Sequence, residues 1–242
     1  MSEKNLTQKE QKELVARTAV DRLFERGLIF SGMKIGLGTG STAMPAVARV
    51  AELIREGKLK DVSAVATSFQ TTIACEQFGI PVYELSSSRI DGELDLAIDG
   101  ADEIDPDANL IKGGGAAHLR EKLVEYSAKK LAIIADESKD VSSLGTKFPL
   151  PVEVIPAARL SVTKRLEKLG AKCTVREGVK KAGPVITDNG NLVIDCLWDS
   201  PVNPADMEDA INGITGVVEN GFFTKLRPMV FIGRADGTVT ER

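Results

Sequence analysis

"MKIGLGTGSTAMPAVARVAELIREG", residues 33–57, decides the fold. Its first five residues are a short apolar run and predict a buried strand. Small residues follow, and then a helix over 41–57. Ser41 or Thr42 is placed to cap that helix, and Pro45 is tolerated in its first turn. Strand, glycine-rich turn and helix in this order begin a wound α/β sheet.

The alternation continues on both sides. Residues 9–26 predict an opening helix, with Leu14, Val15, Thr18, Ala19 and Leu23 at helical spacing. "VSAVAT" (62–67) predicts a strand and "SFQTTIACEQFG" (68–79) a helix closed by Gly79. "PVYEL" (81–85) and "LDLAID" (94–99) predict strands, "AAHLREKLVEYSAKK" (116–130) a helix and "LAIIAD" (131–136) a strand. The expected fold is a Rossmann-like, doubly wound parallel sheet.

At "KFPLPVEVIP" (147–156) the pattern changes, and its prolines mark a crossing between domains. The order is then strand (152–155), helix (157–169), strand (171–176), strand (191–197), helix (204–213), strand (216–223). "TDNGN" (187–191) supplies the turn between the middle strands. This βαββαβ order predicts a second, smaller α+β domain of ferredoxin-like type. "MVFIG" (229–233) comes too late for that unit and is expected to return to the first sheet. The expected domains are 1–146 with 224–242, and 147–223.

Composition narrows the function classes. The chain has 242 residues, 43% hydrophobic and 27% charged, with a net charge of −4. It has no basic block for nucleic acid or acidic membranes. No apolar run approaches the roughly 18 residues of a membrane span. The polar first residues lack a signal-peptide h-region. The three cysteines, Cys75, Cys173 and Cys196, form no CxxC spacing. A cytoplasmic protein is the expectation.

"GLGTGSTA" (36–43) satisfies G-x-G-x-x-A from Gly38. A dinucleotide site also needs an acid at the end of the second strand, but that strand ends Ala66-Thr67-Ser68. A P-loop needs a Lys after the second glycine, and none follows. Backbone amides can still meet an anion at the helix N-terminus, and Thr39, Ser41 and Thr42 add hydroxyls. A phosphate or a sugar suits this loop; a tight strand–helix turn explains it equally well.

"DGADEIDPDANLIKGGGAAHLREKL" (99–123) gathers Asp99, Asp102, Glu103, Asp105 and Asp107 before Lys112 and Gly113–Gly115. An EF-hand is excluded, because Leu110 stands where Gly is required and Ala116 where Glu is required. His118 is the chain's single histidine, so a His-rich zinc site cannot form. Serine or cysteine triads are weakened for the same reason. Asp99 ends a strand, and ligands of open α/β sheets lie beyond the strands' carboxyl ends. Gly38–Thr42, Asp136 and Lys139 fall on that edge too. Hydroxyls, carboxylates and lysines suit aldose–ketose isomerisation of a phosphorylated sugar, which needs a base and a group to hold an enediolate oxygen. Asp99 and Asp102 also read as turn residues, Glu121 as a solvated helix charge between Arg120 and Lys122, Lys139 as surface, and His118 as a surface or satisfied histidine rather than a catalyst.

"GLGTGSTA", "ATSFQT", "DGADEID", "KGGGAAHLREKLVE", "IADESK", "FPLPVEVIP" and "VITDNGNLVID" together resemble the A-type ribose-5-phosphate isomerases, from about residue 7 to the end. The resemblance implies interconversion of ribose 5-phosphate and ribulose 5-phosphate in the non-oxidative pentose phosphate pathway, with no metal or nucleotide cofactor. It places Glu121 as general base acting through a cis-enediolate, and Lys112 with Gly113, Gly114 and Gly115 as the oxyanion support. It places Asp99 and Asp102 on sugar hydroxyls, with Gly100 and Ala101 between them, and makes Asp99 a candidate for ring opening. Thr39, Gly40, Ser41 and Thr42 match the substrate loop, Lys139 a phosphate-side lysine and Lys12 a second phosphate ligand. The sugar phosphate is the expected partner, with a homodimer or homotetramer and neither nucleic acid nor membrane. Two departures are His118, where a small or apolar residue is expected, and "GFFTKLRPMVFIG" (221–233). A CoA transferase with a glutamate nucleophile and a non-catalytic sugar-phosphate sensor are the rival readings.

Overall fold

A computed structural model describes residues 5–145 and 147–242. In chain order, the first elements are α1 (Gln8–Glu25), β1 (Lys34–Leu37), α2 (Ala43–Arg55), β2 (Ser63–Ala66), α3 (Phe69–Phe78) and β3 (Leu96–Asp99). Two short strands, β4 (Glu103–Ile104) and β5 (Leu110–Ile111), precede α4 (His118–Tyr126) and β6 (Leu131–Asp136). Then come β7 (Leu150–Val154), α5 (Arg159–Lys168), β8 (Lys172–Val175) and β9 (Leu192–Leu197). The last are α6 (Pro204–Asn212), β10 (Val217–Asn220), β11 (Phe222–Phe223), β12 (Met229–Gly233) and β13 (Val239–Glu241).

The chain divides into two units. The first holds residues up to Gly100, Arg120–Asp140 and Pro228–Arg242; the second holds Ala101–Leu119 and Val141–Arg227. Residues 101–119, expected in the first domain, cluster with the second unit.

The first unit is a six-stranded sheet in the order β13-β12-β6-β3-β1-β2. The pairings from β2 to β12 are all parallel, and β13 runs antiparallel at the edge. "MVFIG" thus returns beside β6, as expected. The strands are buried because their residues are: Ile35, Leu37, Leu96, Ile98, Ala132, Ile134 and Phe231 form one cluster with α1 and α2. Burying each large aliphatic side chain is worth about 1.5–3 kcal/mol. Thr7 and Glu10 fix the start of α1 in a reciprocal capping box. The face of α1 on the sheet is Val15, Ala16, Ala19, Val20 and Leu23. Winding reverses between β1 and β3, which makes that junction the topological switch point.

The second unit contains an antiparallel sheet, β10-β7-β9-β8, with the βαββαβ order of a ferredoxin-like fold. Val162 and Leu166 of α5 and Ile211 of α6 pack with Leu150, Val152, Val154 and Ile194 of the sheet. The "TDNGN" turn is held by buried Glu153, whose Oε1 accepts from Thr187 Oγ1, Asn189 Nδ2 and Asn191 Nδ2 at 2.8–3.0 Å. Beyond β10 the chain continues as β11, which pairs with the β4–β5 hairpin.

Three expectations are corrected. "PVYEL" is not a strand; Val82 makes a single bridge to Ala64, and the chain then turns away. Thr42 stands at the N-cap of α2, but no side chain caps that helix. The helix expected over 116–130 is confined to His118–Tyr126. Ala116 takes φ +60°, a left-handed conformation that blocks an earlier start.

Candidate active site

The carboxyl edge of the first sheet gathers the expected groups of that unit. β1 ends at Leu37, and Gly38 donates its amide to the Ile98 carbonyl of β3. A Cβ at Gly38 would overlap the Asp99 carboxylate, so glycine is required there. Asp99 is 1% exposed. Its Oδ1 accepts from the Thr39 amide at 3.0 Å and the Gly100 amide at 2.6 Å. Two backbone amides thus fix the carboxylate at the mouth of β3.

Thr39 turns its hydroxyl inward. Oγ1 donates to Ser68 Oγ at 2.7 Å and lies 2.6 Å from Thr67 Oγ1. Thr71 Oγ1 donates to the Gly38 carbonyl at 2.7 Å. The side chain of Thr39 therefore braces the loop, and its amide holds Asp99. Gly40, at φ +93°, donates its amide to Gln70 Oε1. Ser41 is exposed, and Thr42 lies 3.8 Å from the point a Cβ of Gly100 would occupy.

Lys12 reaches this edge from α1. Its Nζ donates to Ser41 Oγ at 3.1 Å and lies 3.9 Å from Asp136 Oδ2. Asp136 ends β6, and its Oδ1 accepts from the Ser138 amide and Gln8 Nε2. Lys139 closes the short 3₁₀ turn Glu137–Lys139 that follows and is half-buried. Lys12 and the Ser41 hydroxyl thus meet at this edge beside Asp136.

Glu121 lies in the first turn of α4 and is 6% exposed. The solvated-charge alternative fails. α4 seats on the sheet where Gly36 has no side chain; a Cβ there would overlap Val124. Glu121, Val124 and Glu125 share the buried face, and Leu123 points out at 53% exposure. Arg120, on the flank, lies over the Phe69 ring at 5.6 Å. His118 is fully buried, which removes the surface half of its alternative and leaves the satisfied histidine.

The second unit holds the remaining candidates. Asp102 accepts the Gly114 amide at 2.7 Å. Lys112 follows β5 and is 2% exposed. Its amide donates to the Gly221 carbonyl at 2.9 Å, and its ammonium sits 5.5 Å from the Phe223 ring centroid. A Cβ on Gly221 would overlap the Lys112 carbonyl. The unusual "GFF" stretch therefore seats Lys112. Gly113 takes φ +101°, and a Cβ there would overlap the His118 ring. This explains the glycine and gives His118 a packing role.

The rest of the acidic cluster is structural. Glu103 accepts the amides of Gly145, Lys147 and Phe148 at 2.6–2.9 Å. Asp105 turns the β4–β5 hairpin by accepting the amides of Asp107 and Asn109. Among the described residues, no three His, Cys, Asp or Glu side chains gather as a metal site. No described helix is long and apolar enough to cross a membrane. Thr67, Ser68, Gln70 and Thr71 were not foreseen as loop supports, although "ATSFQT" carries them. Arg176, whose guanidinium donates to the Gly113 and Gly114 carbonyls, carried no sequence signal.

Comparison with known proteins gives the family of the chain. The family model for ribose 5-phosphate isomerase A (phosphoriboisomerase A) matches residues 63–237. The chain is 62% identical to a ribose-5-phosphate isomerase A from Treponema denticola, over 95% of this chain and 97% of that protein. It is similar to the solved ribose 5-phosphate isomerase A of Methanocaldococcus jannaschii, with a TM-score of 0.88 and 41% identity over 98% and 100% of the two chains. It is also similar to a D-ribose-5-phosphate isomerase solved in complex with phospho-erythronic acid, with a TM-score of 0.90 and 40% identity over 98% and 100% of the chains. The chain belongs to the ribose-5-phosphate isomerase A family, enzymes that interconvert ribose 5-phosphate and ribulose 5-phosphate.

Proposed function

We propose that this chain interconverts ribose 5-phosphate and ribulose 5-phosphate through a cis-enediolate, with Glu121 as general base. The carrying observation is the burial of Glu121, 6% exposed on the face of α4 that packs on the sheet. A carboxylate removed from water is a stronger base toward carbon than a solvated one.

Starting from the cyclic aldose, Asp99 or Asp102 takes the proton of the anomeric hydroxyl, the bond from C1 to the ring oxygen breaks, and the ring oxygen receives a proton as the freed hydroxyl. Glu121 removes the proton on C2 of the open aldose. The electron pair forms the C1–C2 double bond, and charge moves onto the C1 oxygen. Lys112 and the amides of the 113–115 loop stabilise that oxyanion. Glu121 returns the proton to C1, the C2 oxygen becomes the ketone, and its proton passes to the C1 oxygen. Lys12, Ser41, Thr42 and Lys139 hold the phosphate, and Gly40, Gly100 and Ala101 let the backbone approach the sugar. The relative bound to phospho-erythronic acid, a four-carbon phosphorylated acid, supports a site of this chemistry.

The route is tested by running the reaction in D₂O with excess EDTA. Proton transfer through an enediolate puts solvent deuterium on carbon in part of the product. Turnover that leaves both product and recovered substrate without deuterium on carbon even after many passages through equilibrium contradicts it and points to hydride transfer.

A further inference from the structure

We infer that Arg176 is a positioning residue for the isomerisation: it fixes the peptide planes of the Gly113–Gly115 loop so that a backbone amide faces the substrate oxygen. The inference rests on the proposed role of that loop as oxyanion support.

The contacts all lie within the second unit. Arg176 follows β8, and its backbone is held on both sides, by the Val193 carbonyl and the Val185 amide. Its guanidinium is forked onto Asp195 through Nε and Nη2. Both side chains are largely buried, at 15% and 20% exposure. That fork leaves Nη1 with one direction, and it donates to the Gly113 carbonyl at 2.9 Å and the Gly114 carbonyl at 3.1 Å.

Two consecutive peptide planes are fixed by this. The plane joining Gly113 to Gly114 is clamped at both ends, because its carbonyl accepts from Arg176 and its amide donates to Asp102 at 2.7 Å. The plane joining Gly114 to Gly115 is held by its carbonyl alone. In a trans peptide the N–H points opposite to the C=O. Drawing the Gly114 carbonyl onto Arg176 therefore aims the Gly115 amide away from Arg176. The Gly113 carbonyl also accepts from the Ala116 amide at 2.9 Å, which closes the turn but leaves the Gly114–Gly115 plane to Arg176, and glycine has little conformational preference of its own to fix that plane. An amide preset for an oxyanion contributes to the transition state more than to ground-state binding.

The test compares wild type, Arg176→Gln, Arg176→Lys and Arg176→Ala on ribose 5-phosphate, each well below its own unfolding midpoint. The expected result is a fall in kcat of about 10- to 100-fold for Gln and Ala, with KM changed less than about threefold. Lysine keeps a donor and should recover part of kcat, and added guanidinium should restore part of kcat to Arg176→Ala alone. Equal kcat in wild type and Arg176→Gln overturns the inference, as does a loss confined to KM or one that neither lysine nor guanidinium rescues. If Arg176→Ala does not fold, Asp195→Asn, which releases the fork, must lower kcat in the same direction; an unchanged kcat there also overturns it. Wild type that fails to convert ribose 5-phosphate would instead sink the functional reading on which the inference rests.

Discussion

The backbone amide of Thr39 donates to Asp99 Oδ1 at 3.0 Å, joining the loop after β1 to the end of β3. This bond spans the switch point of the sheet. It gives the glycine-rich loop a purpose distinct from nucleotide binding: Gly38 leaves space for the Asp99 carboxylate, and Thr39 holds it. Gly38→Ala should push Asp99 off its donors. The expected cost is about 1–3 kcal/mol in a urea titration, with a parallel loss of turnover. Full activity in that variant would show that the position of Asp99 is not critical.

Lys12 was legible only through family resemblance, and its 3.1 Å bond to Ser41 places it at the loop. Lys12→Met should raise KM for ribose 5-phosphate roughly tenfold or more, the scale of one charge-assisted hydrogen bond, and change kcat little. Inorganic phosphate should also inhibit the variant more weakly. A kcat defect without a KM defect would move Lys12 away from the phosphate.

The three thiols should differ in reactivity. Burial pushes the Cys75 thiol up to about 11. Cys196 is raised by its hydrogen bond with Cys173 and by burial, and Cys173 is lowered by that same bond. Their sulfurs lie 3.9 Å apart on paired strands, and Cys173 alone is partly exposed. A thiol reagent at neutral pH should modify Cys173 quickly and the other two only on unfolding. Rapid modification of Cys75 in the folded protein would contradict this packing.

Glu52 of α2 accepts from Arg17 of α1 and from Arg49 of its own helix, and their hydrogen bonds hold its carboxyl down at about 2. The folded value lies below the ordinary 4.5, so the contribution is present above about 4.5 and lost as pH falls toward 2. The group is partly solvated, so the expected loss in Glu52→Gln is about 1 kcal/mol or less at neutral pH. Urea midpoints of wild type and variant should converge as pH falls through that window. A gap that persists at pH 2 would assign the effect to packing.

Much of the sheet was legible because its strands are apolar runs that end in turn residues. "LAIIAD" became β6 residue for residue, and the position of Asp99 at a strand end follows from "LDLAID". The acidic segment was less legible. Its hairpin strands are two residues long, too short for a periodic signal, and Glu103 and Asp105 find their backbone partners only in the folded chain. The burial of Glu121 was hidden by its charged neighbours, since it depends on Gly36 admitting Val124 against the sheet. Arg176 meets the glycine loop from more than sixty residues away, a pairing that no local pattern encodes.

The central claim is that Glu121 moves the proton. Glu121→Gln keeps the shape of the side chain and removes its basicity. Ribose 5-phosphate turnover should fall by several orders of magnitude, with EDTA without effect on wild type and the variant still binding phospho-erythronic acid. A variant that retains wild-type kcat would place the base elsewhere, with Asp99 the next carboxylate to test.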